Sequence, residues 1–252
     1  MLERYHAYFI CYKYVSALKT GLPAAKAYYA AHWIGGVVMT IHSREIPVVR
    51  GQTALLIIDV QNYTADRQGG EFTGPGGPGE AERTYYFDRL DNLALPNMQR
   101  LQAACRTGGV EVLYTLIESL TVDGRDRSLD YKISGIDVPK GSWDAKIPDV
   151  IAPGPDEIVL PKTSSSVFIS TNIDYVLRNL GVKQLILCGV VSDQCVESAV
   201  RDACDLGYLV TLVPDACATF TQERQQASVT AIAGYCRQRS TDALLAELTA
   251  EA

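Results

Sequence analysis

Histidine is scarce in this chain, and its distribution is uneven. The 252 residues contain three histidines, His6, His32 and His42, and all of them precede the first buried strand that the apolar pattern predicts. Histidine is the usual base beside a cysteine or serine nucleophile and a frequent ligand of zinc and iron. The sequence therefore disfavours a Cys–His pair and a histidine-ligated metal in the rest of the chain, and we expect neither a metal nor an organic cofactor.

Other missing signals exclude whole classes of protein. No apolar run approaches the ~20 residues of a membrane span, because Lys26 and His32 interrupt the nearest one, residues 24–41. The net charge is −6 and there is no basic run, so we expect no nucleic-acid partner. The seven cysteines form no C-x-x-C pair, which favours a reducing compartment over a disulfide framework. With no secretory signal in view, we expect a cytoplasmic protein.

Apolar runs alternate with helical patterns from residue 54 onwards. Residues 54–59, 110–116, 157–161, 184–191 and 208–214 are predicted strands. Helical patterns lie between them, for example over 89–109 and 171–181. Near-continuous apolar strands separated by helices indicate a parallel sheet covered on both faces. The predicted fold class is therefore α/β, a three-layer α/β/α arrangement around a doubly wound, mainly parallel sheet.

Two segments stand apart from this pattern. Residues 1–45 are rich in Tyr and Ala and are not needed to build the sheet, so we expect a dispensable helical extension before a domain at 46–252. Met39 opens a stretch typical of an enzyme N-terminus, so 1–38 are either an appendage or an over-long start. Residues 66–80 are rich in Gly and Pro and lack a phosphate-loop motif. They are either a mobile flap or a plain surface loop.

Cys195 is the strongest candidate for a nucleophile. An apolar run over 185–191 predicts a buried strand, a turn follows at Ser192 and Asp193, and a helix begins with Cys195 in its first turn. The unpaired N–H groups of a helix N-terminus favour the thiolate and can also bind the oxyanion that its attack creates. Cysteine is also a common small hydrophobe of protein cores, so its position alone leaves a structural role open.

Asp59 is the candidate for accepting the Cys195 proton, and Lys162 is the candidate for stabilising the resulting thiolate. Both lie at the carboxyl end of a predicted strand, the edge at which parallel sheets bind ligands. Asp59 can accept the Cys195 proton and later return it, and Lys162 can keep that carboxylate ionised and stabilise the thiolate. A helix cap for Asp59 and a solvated surface position for Lys162 are the alternatives.

Three sequence blocks resemble the signatures of the isochorismatase-like cysteine hydrolases. They are IIDVQN around Asp59, VLPKTSSSVF around Lys162 and CGVVSDQCVESAVRDACDLGY around Cys195, and the similarity spans about residues 48–240 in order. The resemblance implies a Rossmann-like strand order and an Asp59–Lys162–Cys195 catalytic triad acting through a covalent acyl-enzyme. It also implies a cis peptide bond at Val190–Val191 and an oxyanion hole made of the Val191 and Cys195 N–H groups.

The substrate class is also an expectation from resemblance. The block VPKGSWDAKIPDVIAPGPDEIVLPK is similar to the ureidoacrylate amidohydrolase branch, although TSSS at 163–166 replaces the bulkier basic and aromatic residues of that branch. The isochorismatases that cleave a vinyl ether lack the cysteine, so Cys195 favours cleavage of a C–N bond. We expect a small ureido, carbamoyl or amide substrate and release of ammonia or an amine. The predicted substrate contacts are Gln61, Asn62, Glu118, Lys140, Trp143, Ser166 and Phe168.

Two other functions stay open from the sequence. One is hydrolysis of a vinyl ether or a simple carboxamide in the same pocket, and the other is a catalytically idle binding or scaffold subunit. Family resemblance and the frequency of symmetric assemblies among soluble enzymes predict a homo-oligomer, either a dimer or a tetramer.

Overall fold

The computed structural model describes residues 31–34, 37–40, 43–74 and 76–249. These residues fall into two compact units that divide between Pro47 and Val48. In the first unit, strands β1 (Ala31–Ile34) and β2 (Val37–Thr40) pair antiparallel. The predicted helix is therefore wrong for these two segments. β-Branched residues flank a Gly-Gly pair there, a sequence that favours a hairpin over a helix.

The rest of that first-unit prediction is not settled by the fold. Residues 1–30 lie outside the described residues, so a helix there stays a prediction. The proposed boundary between residues 45 and 46 and the proposed start at Met39 also stay predictions.

The second unit is built on a six-stranded parallel sheet. Its strands are β3 (Thr53–Ile58), β4 (Glu111–Ile117), β5 (Ile158–Lys162), β6 (Gln184–Val190), β7 (Leu209–Ala218) and β8 (Arg237–Gln238). The strand order is β5-β4-β3-β6-β7-β8, with every neighbouring pair parallel. This is the doubly wound, Rossmann-like order that the sequence analysis predicts.

Helices cover this sheet. They are α1 (Asn62–Ala65), α2 (Gly70–Thr73), α3 (Glu80–Arg89), α4 (Leu95–Thr107), α5 (Leu129–Ser134), α6 (Val167–Ser170), α7 (Ile173–Asn179), α8 (Glu197–Asp205), α9 (Gln222–Ala231) and α10 (Thr241–Thr249). Short 3₁₀ turns form at Trp143–Ala145 and Asp149–Ile151, and π-helical turns at Leu90–Ala94 and Ser192–Val196. The turn at 90–94 joins α3 to α4, and Pro96 is tolerated because it lies in the first turn of α4.

The Gly- and Pro-rich segment 66–80 contains a short helix that the sequence pattern does not predict. It contains α2, and the Phe72 side chain of this helix is buried. The Phe72 ring packs 4.6 Å from the Phe87 ring and 5.3 Å from the Tyr86 ring, measured between centroids. This aromatic anchor, which contributes several kcal/mol when a ring of this size is buried, holds the middle of the segment against α3.

The direction of the strand order changes between β3 and β6. Both strands are buried along their whole length. Gly189 of β6 lies so close to β3 that a Cβ atom on it would be 2.2 Å from the carbonyl oxygen of Ile58. In parallel α/β sheets, ligands bind at such a switch point, beyond the carboxyl ends of the strands. Asp59 and residues 191–196 follow the two strands at this point, so the fold brings them together. No helix in the described part of the chain is both long enough and apolar enough to cross a membrane.

Candidate active site

Asp59, Lys162 and Cys195 meet at the switch point. The Lys162 Nζ atom lies 2.8 Å from the Asp59 Oδ2 atom and 3.4 Å from the Cys195 Sγ atom. The Asp59 and Lys162 side chains are fully buried, and Cys195 is almost so. Three residues from three strand ends thus form one contiguous cluster, as the sequence analysis expects.

Local contacts fix the Asp59 carboxylate. Asp59 has a left-handed backbone (φ 56°), which Asp adopts more readily than most residues. Its Oδ1 atom accepts a 2.7 Å hydrogen bond from the Thr115 hydroxyl of β4, and its backbone carbonyl accepts one from the Thr64 hydroxyl. Oδ2 faces Lys162 without a well-aligned hydrogen bond from any described group, so this oxygen keeps capacity to accept a proton.

Lys162 stays positively charged although it is buried. Its ammonium donates to the Tyr131 hydroxyl oxygen at 2.9 Å and to the Ser164 carbonyl at 2.8 Å, in addition to its contacts with Asp59 and Cys195. Burial is the largest single influence and acts to lower the pKa of Lys162, but Asp59, Cys195 and Tyr131 together outweigh it, and the net pKa is raised. A permanent cation therefore lies beside the thiol.

Cys195 belongs to the π-helical turn Ser192–Val196, which leads into α8. Burial raises the pKa of its thiol; Lys162 acts against this rise and Asp59 acts with it. A helix N-terminus favours the thiolate, but burial of the thiol opposes that effect here. The cluster is thus a thiol beside an Asp–Lys ion pair.

The turn that carries Cys195 is tied to α9 by side chains. The Ser192 hydroxyl donates to the Gln225 Oε1 atom at 2.7 Å, and Arg224 pairs with Asp193 at 2.6 Å. The Ser228 hydroxyl donates to the Ser192 carbonyl at 3.2 Å. These contacts hold the turn that contains Cys195 against α9.

The peptide bond between Val190 and Val191 is cis, at the position that the family resemblance implies. Val191 lines a cavity in front of Cys195, and its backbone N–H has no acceptor among the described residues. A carbonyl oxygen held in front of the thiol would find this donor free.

The cavity in front of Cys195 is narrow. Its lining combines Asp59 and Cys195 with apolar and polar side chains; the full set is Asp59, Thr64, Glu71, Ile117, Tyr131, Ile136, Val190, Val191, Gln194 and Cys195. No group of three or more His, Cys, Asp or Glu residues in the described part of the chain could hold a metal ion.

Residues 53–243 match the family model described as the isochorismatase domain. The chain belongs to the isochorismatase family. The ureidoacrylate amidohydrolase RutB of Agrobacterium fabrum is 29% identical, over 71% of this chain and 82% of that protein. RutB of Pantoea ananatis is 30% identical, over 66% of this chain and 68% of that protein. A cysteine hydrolase from Pseudomonas syringae pv. phaseolicola has the same fold, with a TM-score of 0.67 at 22% identity, covering 80% of this chain and 94% of that one.

The structure of this isochorismatase-family chain does not place the predicted substrate contacts in the cavity. Gln61 is fully buried, and its side-chain amide bonds to the backbone of Ile117 and Asp144. The Asn62 side chain donates to the Trp143 carbonyl at 2.9 Å. These side chains join α1 to β4 and to the 3₁₀ turn, so backbone groups occupy their polar atoms and they do not face a ligand.

The other predicted contacts also lie elsewhere. Glu118 accepts a hydrogen bond from the Gly141 N–H at 2.7 Å, Lys140 is exposed, and the Trp143 side chain is largely exposed. Ser166 caps α6 and donates to Asp202, while Phe168 packs 6.0 Å from the Tyr208 ring. None of the seven predicted contacts is among the described residues that line the cavity.

Tyr131 is the residue that sequence reasoning missed. It lies on α5, a helix that Ser128 caps, and its hydroxyl oxygen is 2.9 Å from Lys162 Nζ and 3.9 Å from Cys195 Sγ. Burial raises its pKa, so the hydroxyl stays protonated. The signal that could have found α5 is a helix-capping Ser128 with an acid, Asp130, in the first turn. No sequence signal indicates that this helix folds back onto Lys162.

Proposed function

We propose that this chain is a cysteine amidohydrolase of small amide or ureide substrates, with Asp59, Lys162 and Cys195 as its catalytic residues. The observation that carries the proposal is the buried cluster in which Lys162 contacts both Asp59 and Cys195. Membership of the isochorismatase family and relatives named as ureidoacrylate amidohydrolases support a hydrolase of C–N bonds.

The first half of the cycle forms a thioester. The Cys195 thiol gives its proton to Asp59 Oδ2 while the sulfur attacks the carbonyl carbon of the substrate, and a C–S bond forms. The N–H groups of Val191 and Cys195 stabilise the oxyanion. The tetrahedral adduct collapses, the C–N bond breaks, and Asp59 returns the proton to the leaving nitrogen, which departs as ammonia or an amine.

The second half of the cycle regenerates the thiol. Asp59 takes a proton from a water molecule as the water oxygen attacks the thioester carbon. The C–S bond then breaks, and the proton passes from Asp59 to the sulfur. An amide yields a carboxylic acid, and a ureide whose amine has departed yields carbamic acid, which decomposes to carbon dioxide and ammonia. Lys162 keeps its proton throughout and offsets the negative charge on the carboxylate and the sulfur.

The sequence expectations of a cytoplasmic location and of a homo-oligomer are part of this proposal. Its partner is a small amide or ureide molecule, as the names of the amidohydrolase relatives suggest.

Mass spectrometry of the intact protein tests the proposal. The protein is mixed briefly with a panel of ureides and carboxamides, and ammonia is assayed in parallel. We expect an acyl adduct on Cys195 and release of ammonia from one class of substrate. Cys195→Ala should lose several orders of magnitude in kcat, as is usual when a nucleophile is removed.

Cys204→Ala is the matched control, because Cys204 lies on α8, next along the chain from the nucleophile turn, and is only partly buried. It should keep wild-type turnover. Turnover that survives in Cys195→Ala would reject the assignment, and turnover of vinyl ethers alone would reject C–N cleavage.

A further inference from the structure

The charges around the cavity are unequal. Two carboxylates, Asp59 and Glu71, line it, and none of its described lining residues is Arg, Lys or His. Lys162 supplies a positive charge at the base of the cavity, but its ammonium is paired with Asp59 at 2.8 Å. Asp59 and Lys162 together carry no net charge. The Glu71 carboxylate is therefore the one uncompensated negative charge in the described lining of the cavity.

Glu71 is held in place by its neighbours. It lies on α2, directly before the buried Phe72 that anchors this helix. Burial raises the pKa of Glu71; the Tyr63 hydroxyl and the positive charge of Arg224 act against this rise without cancelling it. The carboxyl oxygens keep acceptor capacity for a ligand.

The other charged groups near the cavity do not cancel the negative charge of Glu71. Arg224 lowers the pKa of Glu71 by its positive charge, and it is already paired with Asp193 at 2.6 Å. On the other side, the negative charges of Asp144 and Asp137 act on Tyr63, the partner of Glu71. Gln194, at the exposed mouth of the cavity, is uncharged.

Resting on the amidohydrolase function proposed above, we propose that Glu71 determines substrate specificity. It accepts hydrogen bonds from the N–H groups of a neutral or cationic amide or ureide, and it excludes substrates that carry a carboxylate near the scissile bond. Ile117 and Ile136 provide the apolar wall for the carbon skeleton. The relatives RutB are named for an acid, ureidoacrylate, so this chain would differ from them in the charge of the substrate it accepts.

The size of the effect follows from electrostatics. Two like charges about 6 Å apart, at an effective dielectric constant of about 20, disfavour each other on the order of 100-fold in binding. Solvent at the open mouth of the cavity reduces this figure. We therefore expect at least a tenfold preference for a neutral ligand over an anion of the same shape.

Alkylation of Cys195 measures this preference without a known substrate. Iodoacetamide and iodoacetate are nearly equal in size, and only the second is an anion. Their rates of reaction with Cys195 are followed by peptide mass spectrometry, and the ratio is divided by that for the neutral thiol N-acetylcysteinamide. We expect this normalised ratio to exceed about ten in the wild type and to fall at least fivefold in Glu71→Gln.

Glu111→Gln is the matched control. It removes the same charge from an exposed glutamate at the opposite end of β4, and it should leave the ratio unchanged. A wild-type ratio near one, an unchanged ratio in Glu71→Gln, or failure of both reagents to reach Cys195 would each overturn the proposal.

A pair of substrates separates this inference from the proposed function. N-carbamoylglycinamide and N-carbamoylglycine share one skeleton and differ in charge. The inference predicts a higher kcat/KM for the first, and a smaller difference between the two in Glu71→Gln. Preference for the acid would overturn the inference while leaving the amidohydrolase intact. Loss of the amidohydrolase function would instead appear as no Cys195-dependent turnover of any amide or ureide, and the alkylation ratio would still decide the role of Glu71.

Discussion

Lys162 carries a charge in a place where a single charge would be very costly. The buried ammonium is tolerated because Asp59 lies 2.8 Å away and because the Tyr131 hydroxyl oxygen and the Ser164 carbonyl accept hydrogen bonds from it. Removing one member of such a pair leaves the other charge uncompensated. The same contacts that stabilise the ion pair therefore fix the positions of the proton acceptor and the cation beside Cys195.

Tyr131 is expected to be a positioning residue for this pair. Its oxygen accepts from Lys162, so its own proton is free to point at Cys195 Sγ, 3.9 Å away. Tyr131→Phe removes both interactions and keeps the ring. We expect kcat to fall about tenfold with little change in KM, and the free energy of unfolding to fall by about 1–2 kcal/mol. Steady-state kinetics and urea denaturation measure the two effects.

Tyr208→Phe provides the comparison. The Tyr208 hydroxyl donates to Asp174 at 2.8 Å, outside the site, so its loss should cost similar stability and leave kcat unchanged. Equal kcat values for the two variants would show that Tyr131 is merely a packed side chain.

Among single residues, the sequence predicts the site residues at the carboxyl ends of strands. It does not predict the site residues that lie in the long connections between strands. Asp59, Lys162 and Cys195 are predictable because the carboxyl ends of parallel strands share one edge of the sheet. Tyr131 and Glu71 come from short helices within long connections. Their positions depend on tertiary packing, which leaves no periodic pattern in the sequence.

At the scale of elements, the contact between β3 and β6 brings Cys195 and Asp59 to one edge of the sheet. The two strands pair in register from Thr53 to Ile58 of β3. Asp59 directly follows β3, and Val191 directly follows β6. The close approach depends on Gly189, which has a φ of 125° and no side chain. Glycine alone combines these two properties.

Gly189→Ala should therefore damage the fold and the site together. The new methyl group would lie 2.2 Å from the Ile58 carbonyl oxygen and 2.6 Å from the Ile58 nitrogen, both rigid backbone atoms. We expect the free energy of unfolding to fall by about 3 kcal/mol or more. Urea denaturation measures the loss, and soluble yield is the readout if the variant fails to fold.

Gly207→Ala separates the clash from backbone strain. Gly207 also has a positive φ, 94°, but a Cβ atom there would meet open space. Strain alone should cost about 1–2 kcal/mol. Losses of the same size at both positions would contradict the argument that close approach of β3 and β6 is the cause.

The elements themselves were predictable where burial is continuous. The predicted strands 54–59 and 184–191 lie within one residue of β3 and β6, because both are apolar throughout. Strand β8 has only two residues and carries no such signal. The π-helical turn at 192–196 depends on a hydrogen-bond register, which composition does not encode.

At the scale of the whole molecule, the core holds several buried thiols besides Cys195. Cys105, Cys188 and Cys217 are buried, and burial raises the pKa of each, to about 12 for Cys105 and Cys217. Cys195 shares the direction of this shift. The domain therefore holds four thiols that stay protonated when folded but ionise readily once the chain unfolds.

These four thiols predict a loss of stability in mild alkali. A group whose pKa is higher in the folded state than in the unfolded state stabilises the fold fully below its unfolded pKa, about 8.5 for Cys, and loses that contribution as the pH rises toward the folded pKa. Between pH 7.5 and 9.5 each thiol should lower the free energy of unfolding by about 1.3 kcal/mol, so the four together should lower it by about 5 kcal/mol.

Urea denaturation under a phosphine reductant measures this decrease in the free energy of unfolding. Cys217→Ala should reduce it by about a quarter, whereas the partly exposed Cys204→Ala should not change it. A free energy of unfolding that stays constant over this range would show that the buried thiols ionise as easily in the folded domain as in water.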